Sequence, residues 1–411
     1  MIVSLSPNSH TLQGQIPLPT SKSESNRALI IQHLASAPIT LHNLAEARDT
    51  QTMRRLLESE GHVLDVLDAG TAMRFLTAYF TAVGRDQILT GTPRMCKRPI
   101  GPLIDALREL GGEIEYWKQE GFPPVHIISK GSKLKGGEIQ MPGNISSQFI
   151  SAILMVAPTL PEGVRIELIG EVSSRPYIDM TRRLMERFGV ETTWEDSNHL
   201  FVAPQAYQGG EYTIEADWSA ASYWYSLVGM SESGKLKLGG LREHSFQGDQ
   251  RIATLMDQYF GISTTYLPEG IEIHKYTKEL STTPVTIDCQ EIPDMAQTFA
   301  VLAAATGVAL TLTGLHTLRI KETDRIEALE TELTKLGASV SATEDTLSIH
   351  TGITSTSGVI HTYDDHRMAM AFAPLTMKMA DLTIKDPEVV NKSYPSFWKH
   401  LEMAGIKVNE F

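Results

Sequence analysis

One plan recurs six times along the 411 residues, and it constrains the fold more than any single motif does. Each copy opens with an apolar helix rich in small residues: SNRALIIQHLASA from Ser25, TAMRFLTAYFTAV from Thr71, SSQFISAILMVAP from Ser146, SAASYWYSLVGM from Ser219, DMAQTFAVLAAATG from Asp294 and HRMAMAFAPLTMKMA from His366. Helices apolar nearly all round are buried on every side. A short strand follows each, in ITLHNL, QILTG, RIELIG, LKLGGL, ALTLTGL and DLTIKD. An amphipathic helix then runs to a glycine, at Gly61, Gly111, Gly189, Gly261, Gly337 and Gly405. Glycine there supplies the left-handed backbone that closes a helix.

The strands between copies set the domain organisation. Room exists for about three strands after Gly189, Gly261 and Gly337, such as GVETTW, HLFVAP and EYTIEA, but only IKVNEF follows Gly405. The N-terminal MIVSLS and TLQGQIPL are therefore expected to complete the last copy, so that residues 1 to 20 pack with the C-terminal half. This predicts an α/β protein of two domains, three copies each: residues 21–216, and residues 1–20 with 217–411. The buried helices sit inside a ring of sheets, with a hinge at the two crossings near Thr20 and Ala216. A single solenoid is the alternative arrangement of six α/β units.

Charge and composition narrow the function. The formal net charge of −13 opposes a nucleic-acid or anionic-membrane partner, which needs a basic surface. Two cysteines, Cys96 and Cys289, make neither a disulfide framework nor a thiolate-rich metal site. No apolar run approaches the ~18 residues of a spanning helix, and the start lacks a secretory plan. A cytoplasmic protein is expected. The sequence shows no phosphate-binding G-x-x-x-x-G-K-[ST] loop, no G-x-S-x-G, no H-E-x-x-H and no dinucleotide fingerprint. Its 13 histidines are scattered without ligand spacing, so no metal and no cofactor are expected. The basic run Lys130–Gly136 reads as a solvated turn.

Polar residues gather at two places in each copy. At the start of the buried helix stand Ser21, Lys22, Ser23 and Arg27; Asp68, Gly70, Thr71 and Arg74; Asn144, Ser146, Ser147 and Gln148; Asp217; Asp294; and Asp365, His366 and Arg367. The loop opening the amphipathic helix carries Asp49, Arg98, Ser174 with Tyr177, Lys321 and Glu322 with Arg325, and Lys392. Helix starts present unpaired N–H groups and favour anions. Ser21, Thr71, Ser146 and Asp294 taken singly read as plain N-caps. Capping does not account for eight cations, Arg27, Arg74, Arg98, Arg325, Arg367, Lys22, Lys321 and Lys392, concentrated on a few loops of an acidic chain. Arginine suits bidentate capture of carboxylate and phosphate. The expectation is a cleft for one or two small, multiply charged anions. The carboxylates Asp294, Glu322 and Asp49 beside lysines suit proton transfer, their pKa values moved toward the working pH by neighbouring charges. Asp324 reads as a partner of Arg325 or the cap of a turn.

At these residues the chain resembles the 5-enolpyruvylshikimate-3-phosphate (EPSP) synthase family. The carrying stretches are SKSESNRAL, DAGTAMRFLTA, LTGTPRMCKRPIGPLIDAL, SSQFISAIL, SSRPYIDMT, IPDMAQTFA, RIKETDRIEAL and YDDHRMAMAF, in that order. The resemblance implies an inverse α/β barrel in two domains, with six βαβαββ units of the enolpyruvyltransferase type. It implies transfer of the carboxyvinyl group of phosphoenolpyruvate to the 5-hydroxyl of shikimate 3-phosphate, a shikimate-pathway step of aromatic amino acid biosynthesis, by a cofactor-free monomer that closes on its substrates. By matched position, Lys22, Ser23, Arg27, Ser146, Ser147, Gln148, Ser174, Tyr177, Asp294 and Lys321 would hold shikimate 3-phosphate. Lys22, Gly70, Arg98, Gln148, Arg325, Arg367 and Lys392 would hold phosphoenolpyruvate, with Asp294, Glu322 and Lys22 handling protons. Asp68, Thr71, Arg74, Thr317 and His366 lie beside these positions.

Three positions depart from the family pattern: Asp68 and Thr317 where asparagine is usual, and Phe75 where proline is usual. A carboxylate at position 68 repels a bound phosphate unless Arg74 or Arg98 compensates it or it stays protonated, which bears on sensitivity to the competing herbicide glyphosate. Other readings are a UDP-N-acetylglucosamine enolpyruvyltransferase, opposed by the placement of Cys96; an RNA 3′-phosphate cyclase, opposed by the acidic charge; and a non-catalytic anion-binding relative.

Overall fold

The computed structural model describes residues 1–128 and 134–411; the turn read at Lys130–Gly136 lies largely outside them. Contacts divide the chain into two compact units, Ser21–Ile214 and Met1–Thr20 with Glu215–Phe411. Glu215 and Ala216 go with the second unit. The Ala216 N–H donates to the Gly240 carbonyl, and the Glu215 carboxylate accepts from the Trp218 indole and the Ser245 hydroxyl.

In the N-terminal unit the helices Lys22–Leu34, Gly70–Val83 and Ser147–Val156 pack on one another. Small side chains permit that approach. Along Gly70–Val83, eleven residues are buried, Phe75, Leu76 and Phe80 completely. Burial of such a side chain contributes about 1.5–3 kcal/mol. In the C-terminal unit Trp218–Met230, Ala296–Thr306 and His366–Phe372 form the equivalent centre, filled by Trp224, Tyr225, Phe299 and Phe372.

The sheets show how the repeat is wired. In Val63–Asp65, Gln87–Thr90, Ile114–Tyr116 and Val125–Ile127, the first strand runs parallel to the second, the second pairs antiparallel with the fourth, and the fourth with the third. The parallel pair flanks the buried helix, because a parallel connection needs a crossover. Four other sheets repeat this order, with the same pairings.

Three expectations need correction. Ile2–Pro7 does complete the last sheet, between Asp381–Lys385 and Ile406–Glu410, but Thr11–Pro17 pairs with Ser233–Gly239 and so opens the fourth repeat instead. The first repeat is cut short: Ile39–His42 pairs only with Gly210–Thr213, giving a two-stranded sheet among the described residues. Of the six glycines expected to close helices, five have φ between 69° and 101°, whereas Gly61 does not. Helix Arg48–Leu57 ends earlier, with right-handed Glu58 as its cap. No helix among the described residues is long and apolar enough to cross a membrane.

Candidate active site

Each unit carries its own cluster of polar side chains at the starts of its buried helices. In the N-terminal unit, Ser21 caps helix Lys22–Leu34 by accepting from the Glu24 N–H, and Ser146 caps Ser147–Val156 by accepting from the Gln148 N–H. Lys22 reaches the buried Asp49 carboxylate at 3.2 Å. Arg27, one turn on, is buried and donates to the Thr181 hydroxyl at 2.7 Å, the Ser151 hydroxyl at 3.3 Å, and the carbonyls of Ser23 and Tyr177. Burial pushes its pKa down to about 10, with Tyr177 and Glu24 acting against the shift, so it remains a cation at neutral pH.

Gly70 is a point of close approach. A Cβ there would lie 2.8 Å from Arg98 Nη1 and 3.1 Å from Arg74 Nη1, so both guanidinium groups rest against a backbone that only glycine leaves open. Arg74 donates to the Gly70 and Pro99 carbonyls and lies over the Phe149 ring. Thr71 is not a cap; it sits inside helix Gly70–Val83 and accepts from the Gln148 amide at 3.4 Å. Asp68 is paired by a residue outside the expected set: Arg48 Nη2 reaches both its oxygens, at 3.0 and 2.9 Å. Ser174 begins helix Arg175–Arg187 with φ 55°, a left-handed conformation costing about 1–2 kcal/mol in an L-residue. Leu67, Tyr363 and Asp364, next to Asp68 and Asp365, share it. Such strain concentrates at functional loops.

The C-terminal unit builds a different cluster. Asp294 is no N-cap, lying in the 3-10 turn Pro293–Met295. Arg325 Nη1 donates to its Oδ1 at 3.0 Å, Arg367 Nη2 to its Oδ2 at 2.8 Å, and Lys321 stands 3.8 Å away. Arg325, itself buried, also bonds Glu322 at 3.0 Å and Asp365 at 2.7 Å, and Lys392 lies 3.9 Å from Glu322. Burial by itself would raise the Asp294 pKa; Arg367, Lys321 and Arg325 overcome it and hold the carboxyl well below the usual carboxylate range. The expectation of a pKa moved toward the working pH is thus corrected for Asp294: three cations outweigh Glu322 and desolvation.

Asp324 caps helix Arg325–Lys335 and pairs with Arg319 at 2.8 Å rather than with Arg325. His366 is buried, with Nδ1 3.7 Å from Asp365. The Thr317 hydroxyl is buried without a hydrogen-bond partner among the described residues. Sequence reasoning placed Asp365 only among the helix-start polar residues and assigned no role to Tyr223 or Ser219. Asp365 caps helix His366–Phe372 while gripping Arg325 Nε, and Tyr223 accepts from Arg367 at 3.2 Å. Burial pushes the Tyr223 phenol up to about 12, so it stays neutral. The available signal was Ser219 and Tyr223 four residues apart, polar groups on one face of an otherwise apolar helix.

This arrangement offers anion-ready cations in one cluster and a carboxylate locked in its ionised form in the other. The family model for EPSP synthase (3-phosphoshikimate 1-carboxyvinyltransferase) matches residues 7–62 and 54–401. The chain is 46% identical over 404 residues to the 3-phosphoshikimate 1-carboxyvinyltransferase of Bacteroides fragilis (strain YCH46), covering 97% of both, and 38% identical over 419 residues to that of Sulfurovum sp. (strain NBC37-1), covering 95% of this chain and 96% of the relative. A solved EPSP synthase from Acinetobacter baumannii is similar in fold, with a TM-score of 0.79 over 100% of both chains at 23% identity.

Proposed function

The chain belongs to the EPSP synthase family, and from that premise we propose that it transfers the carboxyvinyl group of phosphoenolpyruvate to the 5-hydroxyl of shikimate 3-phosphate. The hydroxyl oxygen bonds to the central carbon of phosphoenolpyruvate while a proton adds to its methylene. The tetrahedral adduct then loses a proton from the methyl group so formed, the carbon–carbon double bond is restored, and the bond from the central carbon to the phosphate oxygen breaks to release phosphate. Aromatic amino acid biosynthesis is the setting.

The observation that carries this reading is the Asp294 carboxylate between Arg325, Arg367 and Lys321. A carboxylate held that far below neutrality is a weak base. Bound polyanions engage Arg367 and Lys321 and add negative charge, which raises the Asp294 pKa toward the range where it takes the hydroxyl proton. Glu322, held by Arg325 and near Lys392, and Lys22, held by Asp49, are the partners for proton delivery at the methylene. Ser23, Arg27, Ser146, Ser147, Gln148, Ser174 and Tyr177, with Lys321 and Asp294, hold shikimate 3-phosphate. Gly70, Arg98, Gln148 and Lys22, with Arg325, Arg367 and Lys392, hold phosphoenolpyruvate, the cations stabilising charge that develops on phosphate as it leaves. A monomer in the cytoplasm belongs to the same reading, the compartment being supported by two cysteines that form no disulfide.

The test is phosphate release with shikimate 3-phosphate and phosphoenolpyruvate. Release that requires both substrates is expected. Release that requires UDP-N-acetylglucosamine as acceptor overturns the assignment.

A further inference from the structure

The fold assembles one constellation that the reaction does not use. His62 immediately precedes strand Val63–Asp65, Asp86 precedes Gln87–Thr90, and His126 lies within Val125–Ile127. These three strands are neighbours in one sheet, so residues far apart in sequence meet at one end of it. His126 Nε2 stands 3.0 Å from Asp86 Oδ1, and His62 Nδ1 stands 3.5 Å from the same oxygen. The three ligand atoms all lie within 4.8 Å of one another. The first two strands are parallel and lead at their other ends toward Asp68–Gly70 and Gly91–Arg98, so the constellation occupies the end remote from those loops.

We propose that His62, Asp86 and His126 form a binding site for a divalent transition-metal ion of the zinc class. Two imidazoles with one carboxylate are the ligand types such ions select. Metal–ligand bonds of about 2.1 Å at tetrahedral or octahedral angles place ligand atoms about 3.0–3.4 Å apart, and the two measured separations bracket that interval. The side chains are 55%, 40% and 23% exposed for His62, Asp86 and His126, leaving the remaining coordination positions to water. The His126 ring is braced at its edge by Trp117 and by His62, at centroid distances of 6.5 and 5.7 Å. An ion held there ties three strands together and stabilises the N-terminal unit without entering the reaction.

The test uses Zn²⁺ alone on the metal-stripped full chain, read by titration calorimetry and thermal unfolding. Zn²⁺ is expected to bind with one strong site and to raise the unfolding temperature. His126→Ala and Asp86→Asn should each weaken binding by more than about a hundredfold, exceeding the loss of an outer-shell partner, and abolish the thermal shift. Their unfolding temperatures without metal report whether they fold, and His62→Ala, the most exposed position, serves as the third variant. Anomalous scattering from a zinc-soaked crystal should peak between the three side chains. No thermal shift in the unmodified protein, a shift unchanged in all three variants, or an anomalous peak elsewhere overturns the proposal.

Discussion

Arg27 and Arg325 are both buried arginines beside the start of a core helix or its neighbouring loop, and they are held in opposite ways. Among the described residues Arg27 donates only to neutral oxygens, two hydroxyls and two carbonyls. Arg325 is gripped by three carboxylates, Asp294, Glu322 and Asp365. Neutral hydrogen-bond partners fix the Arg27 guanidinium in place without an ion pair, the buried Glu24 acting on it only through space. Carboxylate partners cancel charge and couple titrations, so three carboxylates among Arg325, Arg367, Lys321 and Lys392 form a network that can redistribute protons. The two clusters are thus of different electrostatic construction.

The sharpest way to break this contrast is Asp294→Asn. Loss of the proton acceptor should lower turnover about 10²–10⁴-fold with a much smaller change in the phosphoenolpyruvate KM, measured by steady-state phosphate release. A turnover equal to that of the unmodified enzyme removes Asp294 from proton transfer.

Arg325→Met should cost about 3–5 kcal/mol in urea unfolding, because it strands Asp294, Glu322 and Asp365 without their shared cation. Arg27→Met should cost less, since hydroxyls and carbonyls left behind are neutral, while raising the shikimate 3-phosphate KM. Equal losses at the two positions would erase the distinction.

The depressed Asp294 pKa carries a pH signature. Stabilisation from this group is present above its ordinary value of 3.8 and is lost as pH falls from there toward the folded-state pKa. The stability gap between the unmodified protein and Asp294→Asn should therefore be constant near neutrality and narrow below about pH 4. A gap that widens on acidification would reverse the sign.

The smallest effect is expected at Asp68, whose half-exposed pair with Arg48 is worth about 0–1 kcal/mol. Asp68→Asn should leave stability nearly unchanged and lower the phosphoenolpyruvate KM modestly. An increase in that KM would show that the Arg48 pair positions the loop.

Much of the architecture was legible along the chain. All-round apolar helices and the alternating strands that follow them are local patterns, and a buried helix must be apolar wherever its repeat lies. Glycine at Gly261 announces a helix end because few other residues take φ 69° cheaply. Gly61 misled because helix Arg48–Leu57 stops before reaching it. The destination of Thr11–Pro17 and the truncation of the first repeat were not legible, since strand pairing joins residues with no sequence relation.

The sequence by itself determined the six-fold plan, the two sets of helix-start polar residues and the family. Tertiary structure alone decided which charges face each other. It placed Arg48 on Asp68, set three cations around Asp294, and gathered His62, Asp86 and His126 from three strands. Coulomb energies fall with distance and rise with desolvation, and neither quantity exists for a chain until its strands and helices have been packed.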